Sequence, residues 1–134
     1  MKSIKSWTIT MFALVLTLSA TAKSDWKELK DFHSVMSKSF HPSEEGNLQP
    51  VKDMAADLVA KAKAWKASEV PADYNKELTT ETLTKLLSKC EEVQAAVVAK
   101  KSDEDLKKLI SEAHDIFHRI VEKCRIPEKD EEKK

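Results

Sequence analysis

Glycine is almost missing from this chain: Gly46 is the only one among 134 residues. Turn-rich β folds lean on glycine for their tight reversals, so this scarcity argues against a hairpin-built protein and points to helices. Charge of one sign is equally lacking. The chain holds 23 basic and 23 acidic residues, a balance without the electrostatic footprint that nucleic acid requires. After residue 22 no segment is apolar for even half the length of the first run, so the sequence beyond it offers nothing to span a bilayer, which takes about 20 apolar residues. There is no glycine-rich phosphate loop, no nucleophile, base and orienter set together, no paired carboxylates in a cleft-forming context and no internal repeat. Those absences argue against an enzyme.

What is present begins with a leader. Lys2 and Lys5 precede an apolar run from about Trp7 to Ala20, and Ala20-Thr21-Ala22 supplies a small-x-small cleavage pattern. Residues 1–22 therefore read as a secretory signal peptide. The mature chain is expected in the periplasm or outside the cell, with no membrane attachment after cleavage. No Cys follows the cleavage site, which argues against a lipid anchor. Cleavage removes two basic residues and no acidic ones, leaving a net charge near −2. About 112 residues make one domain with one core.

The apolar periodicity predicts four helices. Ser24 stands as N-cap of the first, about 25–40, where Trp26, Leu29, His33, Met36 and Phe40 recur at spacings of three and four. Pro42 disfavours helical geometry at His41, so Pro42 to Asn47 reads as the first connection. Pro50 opens the second helix, which carries Val51, Met54, Ala55, Leu58, Ala62 and Trp65 on one face and ends near Ala67. Residues 68–78 form the long connection, with a short extra turn allowed at 73–78. Thr79 or Thr80 caps the third helix, whose face is Leu83, Leu86, Leu87, Cys90, Val93 and Val97. Ser102 caps the fourth, with Asp103, Glu104 and Asp105 favoured in its first turn by the helix dipole. Its face is Leu106, Leu109, Ile110, Ala113, Phe117, Ile120, Val121 and Cys124. Pro127 and the charged stretch 128–134 end it, the latter expected to be a disordered tail. Four amphipathic helices in sequence predict an all-α, antiparallel up-down-up-down four-helix bundle over 23–127, in which the first and last helices are neighbours.

That adjacency singles out the histidines. His33 and His41 lie on the first helix, His114 and His118 on the last, and the other two helices have none. His114 and His118 are spaced i, i+4, one turn apart on one face, which suits two imidazoles gripping one ion. His33 falls within the apolar stripe, where an unpaired imidazole is costly and needs a partner. It lies roughly 12 Å below the end of the first helix, and His114 roughly 17 Å below the start of the fourth, at about 1.5 Å per residue. Those levels agree within a turn, so His33, His114 and His118 are the expected ligands of a transition-metal ion. Copper, zinc and nickel all suit imidazole. His41 joins only if the chain bends at Pro42; otherwise it makes a second site with Glu44 or Glu45. Met36 and Asp57 are further candidate ligands. Against these readings stand the ordinary ones, a buried histidine satisfied by a neighbouring side chain and a solvated surface HxxxH pair.

The run Ile110-Ser111-Glu112-Ala113-His114-Asp115-Ile116-Phe117-His118 resembles the haem-binding segment of the periplasmic four-helix cytochromes of the c-prime and soluble b types. In the c-prime type that segment is CxxCH followed by an aromatic and Arg. His114 falls on the ligand histidine and Phe117 on the aromatic, while Ile110 and Ala113 replace both haem-attaching cysteines and His118 replaces the Arg. The resemblance implies a bundle without covalent haem. It leaves open a haem b electron carrier in which Met36 or His33 pairs with His114. It also allows a homodimer, since related cytochromes often pair. A third reading is a cofactor-free structural or interaction bundle.

Cys90 and Cys124 both fall on apolar faces. If the last two helices fold back about Lys101, the two sulfurs lie roughly 16 Å apart at about 1.5 Å of rise per residue. A disulfide tolerates only about 7 Å between Cα atoms, so buried thiols are expected.

Overall fold

A computed structural model describes residues 24–127; the expected leader at 1–22 and tail at 128–134 lie outside them. The described residues form α1 (Lys27–Glu44), α2 (Gln49–Ala67), α3 (Lys76–Val98) and α4 (Asp103–Lys123). Consecutive helices pack side by side, and α4 meets α1 along a looser seam. Neighbours run in opposite directions. The start of α1 meets the end of α2, where Trp26 Nε1 donates to Ser68 Oγ at 2.9 Å. The start of α3 meets the end of α4, where Asn75 N donates to Cys124 O at 2.8 Å. The end of α1 meets the start of α4, where Lys107 Nζ donates to Glu44 O at 3.4 Å. The protein is thus an all-α four-helix bundle. None of these helices is long and apolar enough to cross a membrane.

The core follows the expected faces of α2, α3 and α4. Val51, Leu58, Trp65, Leu86, Cys90, Val93, Ile110 and Ile120 are all buried. Ser102 caps α4 as expected, its hydroxyl accepting from Asp105 N at 3.1 Å, with three acidic residues in the first turn. That arrangement satisfies an otherwise orphaned donor and complements the positive helix end.

Three local expectations are corrected. Ser24 does not cap α1: the helix starts after Trp26 with no side-chain cap, and Ser24 N instead donates to Asp73 Oδ2 at 3.1 Å. Pro42 does not end α1, which runs on to Glu44. Proline removes one backbone bond in the last turn, and the buried Phe40 and Ser43 hold that turn against the core. The α3 cap is Asn75, whose side chain accepts from Leu78 N at 2.9 Å, four residues ahead of Thr79. Thr79 is buried inside the bundle, and Thr80 Oγ1 donates back to Lys76 O at 2.7 Å. A threonine in that arrangement is a helix-interior residue.

The fourth correction bears on function. His33 is exposed, and Phe32 beside it is fully buried. Neighbouring residues on a helix point about 100° apart. Phe32 belongs with Met36, Ser39, Phe40 and Ser43 on the inner face, and the larger apolar ring takes the core position.

The Asn75 cap is checked by substitution. Asn75→Ala should lower unfolding free energy in urea by about 1 kcal/mol, whereas Thr80→Ala, being exposed, should change it by less than about 0.5 kcal/mol.

Candidate functional site

The α1–α4 seam holds a continuous row of six rings. His41 leans on Phe40 at 5.6 Å between centroids, and Phe40 stacks on His114 at 3.7 Å and 11°. His114 meets His118 edge-on at 4.4 Å. His118 then meets Phe117 at 5.6 Å, and Phe117 stacks on His33 at 5.1 Å and 9°. The row follows from the helix period. Phe117 and Ala113 point into the core, so His114 and His118, one position on from each, lie at the edge that faces α1.

Within the row the two α4 histidines are brought together most closely. Their Nε2 atoms lie 3.2 Å apart, and His118 Nδ1 is 3.3 Å from Glu122 Oε1. His118 Nδ1 thus faces a carboxylate and its Nε2 faces the other imidazole. Glu122 was not among the expected site residues, although its i+4 spacing from His118 was the signal. Phe40, which orients the His114 ring, was marked only as core.

The other expected ligands stand apart. His33 lies on Phe117 rather than on the imidazole pair. α1 runs on through Pro42, so His41 stays on that helix, and its Nδ1 lies 3.3 Å from Glu44 Oε2, one of the two carboxylates expected beside it in a second site. Met36 is fully buried in the core. Asp57 is exposed on α2. Among the described residues no three His, Cys, Asp or Glu side chains converge on one point. The described residues therefore offer two nitrogens there, and His33, expected to converge with them, lies instead on the Phe117 ring.

The haem alternative can be tested against the same geometry. A porphyrin between Met36 or His33 and His114 needs an open slot on one face of the His114 ring. Phe40 is stacked on His114, and its Nε2 is turned to His118. Phe32, Trp65 and Phe117 fill the interior below, with centroids 5.4 to 6.0 Å apart. These residues do not fit a haem.

Both cysteines are free and buried. Cys124 Sγ sits 3.7 Å from Thr82 Oγ1, two turns along α3 from Cys90, in line with the register argument. Burial pushes the Cys90 thiol up to about 12. Neither sulfur adjoins the imidazole pair.

The half-buried position of His114 lowers its pKa from the ordinary 6.5, through burial first and then the nearby His118; Asp115 and Glu44 oppose the shift and His41 adds to it. A neutral imidazole at pH 7 is the form that ligates metal. Its effect on stability has a definite sign. The unfolded chain takes up the proton first, so the contribution is complete above pH 6.5 and is lost as pH falls through the lower folded value. Urea unfolding should show stability declining from pH 7 towards pH 5, with a shallower decline in His114→Phe. Native protein should also leave both thiols unmodified by a thiol reagent at pH 7.5, and should expose two in urea. No family model matches this chain, and no curated protein or solved structure does either.

Proposed function

We propose that this protein binds a transition-metal ion, copper, zinc or nickel, at the seam between α1 and α4, in storage, sensing or delivery within the compartment to which its expected leader sends it. The reading is carried by one observation, the 3.2 Å approach of His114 Nε2 and His118 Nε2. Zinc–imidazole bonds of about 2.0–2.1 Å set two nitrogens of a tetrahedral shell about 3.3 Å apart. The pair therefore already stands at the required bite, and binding takes both rings as their Nδ1–H tautomers, the His114 proton passing from Nε2 to Nδ1 by way of solvent, so that both Nε2 lone pairs are free for the ion. Glu122 behind His118 supplies the outer partner that ligating histidines usually have. Phe40 holds the His114 ring by stacking, which reduces the ordering that binding must impose.

Titration with each metal, on untagged mature chain, tests the proposal. His118→Ala and His114→Ala should each abolish stoichiometric binding. Glu122→Gln should weaken it by about tenfold, and His41→Ala should leave it within about twofold, since His41 is held by Glu44. Unchanged binding in both α4 variants would overturn the reading. Replacement of all four histidines together with no loss beyond modest stability would leave a cofactor-free interaction bundle.

A further inference from the structure

The imidazole pair fills two corners of a coordination shell and leaves the others empty. Its nitrogens subtend an angle of roughly 100° at a metal 2.0–2.1 Å from each, close to tetrahedral and far from the linear arrangement of a two-coordinate ion. A tetrahedral shell needs two more ligands. Within the described residues none converges there: Glu122 is on the far nitrogen of His118, His41 faces Glu44, and His33 lies on Phe117.

The open corners face outward. The His118 side chain is 48% exposed and that of Glu122 62%; His114 lies near the middle of α4 and His118 one turn further on, on a face that another helix can approach. We infer that a zinc ion at this site is shared by two copies of the chain, each contributing His114 and His118. A two-fold axis through the ion presents the same pair from both sides, so one self-complementary patch completes the shell. This inference rests on the reading of His114 and His118 as ligands.

Two features of the surface bear on how such a pair is held. The small net charge expected of the mature chain, near −2, means that two copies approach without strong net repulsion. Among the described residues the large exposed apolar side chains, Leu78, Val98 and Ile126, lie near helix ends and not at the seam. Apolar burial does not join the copies there; the metal does. Association is therefore metal-dependent, with half an ion per chain.

The test is light scattering after size exclusion, on untagged mature chain, with zinc sulfate as the probe. The expected result is a doubling of mass that is complete at half an equivalent of zinc and reversed by EDTA. His118→Ala, an exposed change that leaves the core intact, should stay at the single-chain mass, and His33→Ala should still double. One zinc per chain at the single-chain mass would overturn the shared site and leave the two-histidine reading standing. A doubled mass that persists in EDTA or in His118→Ala would also overturn it. No zinc binding at all would overturn both.

Discussion

The packing of Phe32, Trp65 and Phe117 across α1, α2 and α4 sets the rotation of every helix that carries the site. Their rings meet at 5.4, 5.8 and 6.0 Å, and Trp26 extends the cluster by meeting Trp65 edge-on at 5.6 Å. Large aromatic groups dominate the energetics of so small a core, where truncating a single one costs about 3–5 kcal/mol. Once Phe32 and Phe117 point inward, the 100° step of the helix leaves no choice for their neighbours. His33 and His118 must lie at the rim, and His114, one turn above His118, must lie there too.

The seam they share suits such groups. The pairs α1–α2, α2–α3 and α3–α4 are joined by connections of the chain, while α1 and α4 are not consecutive and meet more loosely. An imidazole placed there keeps one edge in water and one face on an aromatic ring, so its polar atoms are not stranded. The far end of the bundle is braced differently. Tyr74 and Asn75 pair with 124–126, Asp73 O accepts from Ile126 N, and the Arg125 guanidinium lies over the Tyr74 ring. This bracing joins the segment after α2 to the end of α4 and fixes α4 lengthwise, and with it the level at which His114 meets Phe40.

Much of this was legible in the residues. The second helix begins and ends where Pro50 and Ala67 indicate, and the fourth begins at Ser102, because each signal there is local: a proline at a helix start, an N-cap hydroxyl before an acidic turn, a run of apolar residues at one period. The i, i+4 spacing of His114 and His118 placed them on one face before any neighbour was known. Other features resisted reading for equally physical reasons. Pro42 looked like a stop because its local effect is to break a bond, and the burial of Phe40 and Ser43 that carries α1 past it comes from other helices. Thr79 and Thr80 have the chemistry of a cap, as Asn75 does, and only the docking of residues 74 and 75 against the end of α4 selects among them.

Composition and periodicity alone determined that the chain folds as four amphipathic helices with its histidines confined to the first and last, since those properties depend on spacing along one helix. Which of two adjacent residues turns inward is a different kind of question. Phe32 and His33 are both compatible with the α1 period, and the competition between them was decided by Trp65 and Phe117, residues distant in the sequence. The same contact left two imidazoles converging and withheld a third. A coordination shell depends on distances between helices, and those are set when side chains from all of them compete for one interior.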